Sequence, residues 1–240
     1  MVTNRRVDNI RGKRGVEWPV NSDGTPATCR LCERAEGQLF HEDGRRYFRC
    51  DECGLVFVDA VYFLDGDGER AIYDQHQNSP EDAGYRRFLS RLYEPVVSRL
   101  APGSRGLDFG SGPGPTLSVM FEEAGHIVSL FDPFYANDST VLEHQYRFIT
   151  ASEVFEHLYR PRMELDRLWA CLEPGGVLGV MTKRVRDQAA FSRWHYKNDP
   201  THVCFFSLET FEWLAEHWAA RLEVVADDVV VFEKSAAASL

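Results

Sequence analysis

The stretch Leu107-Asp108-Phe109-Gly110-Ser111-Gly112-Pro113-Gly114 constrains the fold more than any other part of the chain. An apolar run with a carboxylate near its end breaks into glycines at every second position, and a helix-compatible segment, Pro115 to Ala124, follows at once. This is a strand, a tight turn and a helix start. Glycine is required there because only a residue without Cβ takes the turn's positive φ angles and lets a ligand approach the backbone. The stretch reads as a nucleotide cradle in an α/β fold with a doubly wound, mostly parallel sheet.

The spacing separates two kinds of cradle. A dinucleotide site wants G-x-G-x-x-G, with a pyrophosphate on the helix N-terminus. Here the pattern is G-x-G-x-G led by Asp108, which would repel a pyrophosphate and attract an ammonium. Asp108 to Gly114 resembles motif I of the class I S-adenosylmethionine (SAM)-dependent methyltransferases, whose loop holds the amino-acid end of SAM. The resemblance implies a Rossmann-like sheet of the seven-stranded type. It also implies that Asp108, Gly110, Ser111, Gly112, Gly114 and Ser152 bind the cofactor. A second apolar strand, Ile127 to Phe131, ends in Asp132, about 20 residues past the glycines, where an acidic side chain accepts the ribose hydroxyls.

At 240 residues the chain has room for one full-sized α/β domain and a small appendage. No apolar run approaches the ~20 residues of a membrane span, and the arginine-rich start lacks an apolar signal core, so a cytoplasmic protein without membrane association is expected. The net charge of −10 argues against a protein that coats nucleic acid through a broad basic surface. A short basic arm does exist: Arg5, Arg6, Arg11, Lys13 and Arg14 stand against Asp8 alone. Residues 1–27 lack apolar periodicity and read as a flexible lead.

Four of the six cysteines, Cys29, Cys32, Cys50 and Cys53, form a C-x2-C-x17-C-x2-C pattern. Each C-x-x-C places two thiolates on one knuckle, and the spacing fits a structural four-cysteine zinc site. Tyr47 and Phe48, then Leu55 to Val58, read as its short strands, which makes residues 28–60 a zinc ribbon. So small a module cannot bury enough surface without its metal. The linker or lid at 61–84 carries acidic glycine turns, Tyr73, His76 and a helix cap at Ser79-Pro80. The main domain is expected over 85–234, with a frayed tail at 235–240.

Phe88, Leu89, Leu92, Val96 and Leu100 recur at helical spacing, with Pro95 as a kink point. In class I methyltransferases such a helix closes over SAM, which would place Tyr73 and Tyr85 along a lid. Only Pro133 to Gln145 separates Asp132 from the next strand, too short for the family's usual helix, third strand and adenine-contacting loop. Asn137 and Asp138 are the remaining adenine candidates. Met163 to Leu172 reads as a helix, Glu173 to Gly176 as the turn before a fifth strand, and the segment from Ser207 as the last long helix.

The strand Tyr146 to Ala151 runs into Ser152-Glu153-Val154-Phe155-Glu156-His157. If the backbone turns helical at Glu153, then Glu153, Glu156 and His157 share one face, and His202 arrives from another loop as a fourth ligand for a divalent cation. E-x-x-E-H with a later histidine resembles the small-RNA 2′-O-methyltransferases, and E-x-x-E-H alone is similar to the O-methyltransferases of ubiquinone biosynthesis. Both resemblances imply a metal beside the acceptor hydroxyls, with Glu153, Glu156, His157 and His202 as ligands. Carboxylates favour Mg²⁺, and the histidines tilt the choice toward Mn²⁺, Fe²⁺ or Zn²⁺. In the metal-free alternative Glu156 caps a helix, and His157 or His202 is the general base. Arg193 to Asn198 would roof the acceptor pocket.

Three functions follow. The first is transfer of a methyl group to a hydroxyl of a small molecule. The second is RNA methylation, with the ribbon and basic arm gripping RNA as in the ribosomal-RNA guanine methyltransferases that the ribbon resembles. The third is a SAM fold kept as a scaffold, against which intact Asp108, Gly110, Gly112 and Asp132 argue.

Overall fold

The computed structural model describes residues 7–11, 17–21, 28–34, 36–75 and 78–236. The chain begins with strands β1 (Val7–Arg11), β2 (Glu17–Asn21), β3 (Gly37–Asp43), β4 (Arg45–Cys50) and β5 (Val56–Val58), followed by helices α1 (Gly66–Tyr73) and α2 (Ala83–Val97). Strand and helix then alternate through β6 (Arg105–Phe109), α3 (Thr116–Glu123), β7 (Ile127–Phe131), β8 (Tyr146–Ser152), α4 (Pro161–Ala170) and β9 (Leu172–Met181). The last elements are α5 (Gln188–Ser192), β10 (Cys204–Phe205), α6 (Leu208–Trp218), β11 (Arg221–Ala226) and β12 (Val229–Glu233). No described helix is long and apolar enough to cross a membrane.

The chain divides into two compact units, and the division is not the one expected from sequence. One comprises Ile72–Phe155, Met163–Lys183 and Glu212–Leu240. Among the described residues its sheet has six strands in the order β11-β12-β9-β8-β6-β7, with β7, β6, β8 and β9 parallel, β12 antiparallel to β9 and β11 antiparallel to β12. The fold is α/β and Rossmann-like, with one strand fewer than the seven-stranded type. The short connection after Asp132 holds only a 3-10 turn, Ser139–Glu143, so β7 is left as the edge strand. Asp138, an adenine candidate, spends its carboxylate on the Thr140 N–H and hydroxyl.

The core of this unit explains why the helix before the first strand forms where it does. Leu89, Leu92 and Val96 line one stripe of α2 and pack with Phe121, Phe148, Val177 and Met181. Full burial of each such side chain contributes ~1.5–3 kcal/mol, so the stripe decides how α2 seats. A Cβ on Gly179 would lie 2.5 Å from Val96 Cγ2, so the helix sits directly on β9. The helix starts later than Ser79-Pro80: Asp82 caps it, accepting from Gly84 N at 2.7 Å and Tyr85 N at 3.1 Å. Ser79 is diverted into a local turn, accepting from Glu81 N at 3.2 Å.

The other unit comprises Met1–Ala71, Glu156–Arg162 and Arg184–Phe211. The expected ribbon at 28–60 is therefore not self-contained, and the expected domain at 85–234 is interrupted. Its four-stranded sheet runs β10-β5-β4-β3, and β10 comes from far along the chain to pair Cys204 with Phe57 and Phe205 with Val56. The reason is burial. Tyr47, Val56 and Val58 form one apolar cluster with Val185, Phe191, Tyr196 and Phe205, and a ribbon alone has nothing to offer those faces. The segment read as a flexible lead also carries structure, since β1 pairs antiparallel with β2, Val7 opposite Asn21 and Arg11 opposite Glu17. The rest of residues 1–27, His76 and residues 237–240 lie outside the described residues.

Candidate active site

In the six-stranded unit the glycine loop leaves β6 with Gly110 at φ 75° and Gly112 at φ 63°, the left-handed region that favours glycine. Gly110 N and Ser111 N both donate to Phe131 O, at 2.7 and 3.3 Å, and Gly112 N donates to Asp132 Oδ2 at 2.9 Å. The loop is thereby stapled to the end of β7. With these amides spent inside the protein, the loop does not gather them into an anion nest, which suits a cationic rather than a pyrophosphate ligand. A Cβ on Gly112 would meet nothing, whereas one on Gly114 would lie 2.2 Å from Asn78 O, so the chain leading into α2 lies against the loop. Ser111 Oγ is buried without a hydrogen-bond partner, a polar atom that a bound cofactor's polar group would satisfy.

Asp108 is buried on β6 and accepts a hydrogen bond from Thr150 Oγ1 at 3.1 Å. Burial pushes its carboxyl up to about 7, with the Asp132 charge adding to the shift. Tyr85 is pushed up to about 12, by burial first and then by Asp108 and Glu153, and its hydroxyl accepts from Asn78 Nδ2 at 3.1 Å. A phenol and two carboxylates that bear on one another would suit a cation such as the ammonium of SAM.

The raised Asp108 value has a sign. The folded protein keeps this proton after the unfolded chain has released it near 3.8, so the stability it confers is complete below about 4 and is lost as pH rises through about 7. Asp108→Asn is neutral throughout. In denaturant melts the stability of the native protein relative to this variant should fall by up to about 4 kcal/mol between pH 4 and 7. A flat difference would show that the carboxyl is not shifted.

Asp132 is buried and heavily engaged. Oδ1 accepts from Phe134 N at 2.8 Å and Tyr135 N at 3.1 Å, and Oδ2 accepts from Gly112 N. A carboxylate offers about four acceptor positions, so three are taken by backbone. One acceptor position, on Oδ2, remains. Ser152 closes β8, half-buried.

In the other unit the structure brings Glu156, His157 and His202 together, with ligand atoms within 4.8 Å of one another. Glu156 is buried and accepts a short hydrogen bond from the Tyr196 hydroxyl. His202 Nδ1 lies 2.7 Å from Tyr196 O, and His157 Nδ1 lies 3.2 Å from Thr201 O. A carbonyl only accepts, so both Nδ1 atoms carry a proton, and His202 Nε2 lies 3.8 Å from Asp199 Oδ2. This is the arrangement by which metal-binding histidines are oriented. Burial and the neighbouring His157 push His202 down to about 4, so it is neutral at ordinary pH.

Glu153 does not belong to that group. The chain is not α-helical there: Glu153 has φ 53°, and a 3-10 turn begins only at Phe155. The i, i+3, i+4 face drawn from sequence does not exist, and three residues, not four, form the cluster.

Cys29, Cys32, Cys50 and Cys53 converge in the same unit, all buried, with Cys29 Sγ 3.6 Å from Cys53 Sγ and Cys32 Sγ 3.5 Å from Cys50 Sγ. Four thiolates around one zinc at ~2.3 Å would stand about 3.8 Å apart, so the cluster needs only slight expansion to hold the ion. Two residues of the histidine site escaped sequence reasoning. Tyr196 was legible only as part of an aromatic loop, and Arg45, which donates to carbonyls of the His202 loop, gave no signal at all.

A family model described as a methyltransferase domain matches residues 84–226. Among solved structures, the chain is similar to a SAM-dependent methyltransferase from Archaeoglobus fulgidus, at 15% identity and a TM-score of 0.51, covering 69% of this chain and 99% of that one. It is also similar to the 1,6-didemethyltoxoflavin-N1-methyltransferase of Burkholderia thailandensis, whose structure holds 1,6-didemethyltoxoflavin and S-adenosylhomocysteine. That match has 13% identity and a TM-score of 0.47, covering 81% of this chain and 97% of that one. A search of curated proteins finds no match.

Proposed function

The chain belongs to the methyltransferase-domain family, and we propose that this SAM-dependent methyltransferase transfers its methyl group to a hydroxyl oxygen of a small molecule, assisted by a divalent cation on Glu156, His157 and His202. Bound SAM supplies an electrophilic methyl group on a sulfonium. Asp108 takes up its ammonium, and Asp132 accepts from its ribose. The loop amides, tied to Phe131 O and Asp132, keep these groups in place without reorganisation.

The weak point of methyl transfer to oxygen is a nucleophile that is not ionised at neutral pH. A cation at the three-residue group would lower the acceptor's pKa. The observation that carries this reading is the convergence of Glu156, His157 and His202 with both Nδ1 atoms committed to backbone carbonyls, so that Nε2 of each ring is the atom that would meet a cation. Two imidazoles and one carboxylate suit Mn²⁺, Fe²⁺ or Zn²⁺ better than Mg²⁺. The same geometry weakens the metal-free alternative for His202: a group lowered to about 4 is a poor general base near pH 7. The four buried cysteines we read as a closed structural zinc site. The net charge of −10 favours a small acceptor over RNA.

Glu156→Gln should lower methyl transfer from labelled SAM into a small-molecule extract about a hundredfold while leaving S-adenosylhomocysteine binding intact. Unchanged transfer would remove Glu156 from the chemistry.

A further inference from the structure

We propose that Arg45 is a positioning residue for His202, through which the cysteine sheet sets the geometry of the Glu156–His157–His202 group. The inference rests on the reading of that group as functional. Arg45 opens β4, the strand that ends in Cys50, and Gly44 before it makes the turn from β3 at φ 68°. Its guanidinium donates to four backbone carbonyls of one loop: Lys197 O through a short bond, Asp199 O at 3.0 Å, Pro200 O at 3.4 Å and His202 O at 3.2 Å. Nε is engaged as well, 3.1 Å from the Tyr47 hydroxyl. A planar fork with five N–H groups serves so many fixed acceptors at once, and a lysine ammonium does not.

The grip is reinforced from the same hairpin. The Tyr47 hydroxyl donates to Lys197 O at 3.1 Å, and Lys197 Nζ, buried, pairs with Asp43 at 2.7 Å. Residues 43, 45 and 47 of β3 and β4 thus hold the segment that carries Tyr196 and His202. That segment is then sealed on its far side. Val58 N donates to Val203 O, and Val203 N donates to Glu156 O, each within 2.9 Å, so the strand after Cys53, the residue after His202 and the Glu156 backbone form one hydrogen-bonded string. His202 is held through its own carbonyl by Arg45, through its ring by Tyr196 O and through its neighbour by β5. Release of the guanidinium frees the loop to turn, and the His202 ring turns with it.

The test uses the 240-residue chain loaded with zinc and Mn²⁺ alone as probe, followed by electron paramagnetic resonance, with His202→Ala defining the site. Arg45→Ala should weaken Mn²⁺ binding at least about tenfold. Arg45→Lys should not recover it, added methylguanidinium should recover part of it, and zinc content should stay unchanged. Arg49→Ala, which removes an exposed pairing with Glu209 from the same strand, should bind Mn²⁺ as the parent does and controls for loss of stability. The second readout is the long-range ¹H–¹⁵N spectrum of the His202 ring. The parent should show the single Nδ1–H tautomer dictated by Tyr196 O, and Arg45→Ala a mixture. Parent-like Mn²⁺ affinity together with a single tautomer in Arg45→Ala overturns the proposal. If the parent protein binds no Mn²⁺, the metal reading falls and the ring spectrum alone decides: a retained single tautomer refutes positioning by Arg45, and a mixture upholds it.

Discussion

Replacing Asp132 by alanine should cost the protein its cofactor and a large part of its stability together. The buried carboxylate is the shared acceptor of Gly112 N, Phe134 N and Tyr135 N, so its removal leaves three half-buried N–H groups without their acceptor. An unsatisfied buried donor costs roughly 1–3 kcal/mol, and some water entry will soften the sum, so a loss of about 3–5 kcal/mol is expected. Binding suffers twice, because the last acceptor position on Oδ2 disappears and the Gly112 turn loses its anchor. S-adenosylhomocysteine affinity should fall at least about a hundredfold, the scale of one charge-assisted hydrogen bond at its upper end. Calorimetric titration beside a denaturant melt separates the two effects. Asp132→Asn retains one acceptor oxygen and should fall between alanine and the native protein. A folded Asp132→Ala protein that binds the cofactor product as before would refute the assignment.

On the proposed four-cysteine zinc site, a Cys50→Ser variant should no longer hold the ion and should unfold the unit built on the cysteine sheet. Structural zinc in small modules contributes ~10–16 kcal/mol of binding free energy, as much as the whole stability of an ordinary domain. Hydrogen exchange in β3, β4, β5 and β10 should accelerate toward unfolded rates. The core around Phe121, Phe148 and Met181 belongs to the other unit and has its own apolar cluster, so protection in β6 and β8 should persist. Metal analysis with exchange read residue by residue checks both statements. Metal-free protein with native protection in β4 and β5 would show that the four cysteines are not a folding site.

What could be read from the chain in advance was what local chemistry dictates. Asp108 to Gly114 is a strand, a turn and a helix start whose glycines have backbone reasons to be there. The short run from Pro133 to Gln145 has no room for the third strand, and six strands result. The paired cysteines carry their spacing openly. Long-range partnership was hidden. Nothing in Cys204-Phe205 marks a two-residue strand that completes the sheet of residues 37–58, because so short an element has no periodicity. Glu153 misled for a related reason: helical spacing was assumed from residue types, while a single left-handed residue breaks the register and no side-chain pattern announces it. Arg45 is the extreme case. An arginine at a hairpin tip looks like a solvated charge, and only the fold shows the carbonyls it collects.

The late arrival of β10 also orders events on the ribosome. Cys29 to Val58 emerge early, with their thiolates ready for metal, yet the edge of β5 has no strand beside it until Cys204 and Phe205 have been made. At ~5–20 residues per second, that wait lasts on the order of 10–30 s, during which an open, apolar strand edge is exposed in a crowded cell. Early capture of zinc would shorten the vulnerable period by ordering β3 to β5 before their partner appears. On the proposed zinc site, ion supply during synthesis would then bear on how much of the protein escapes that exposed period.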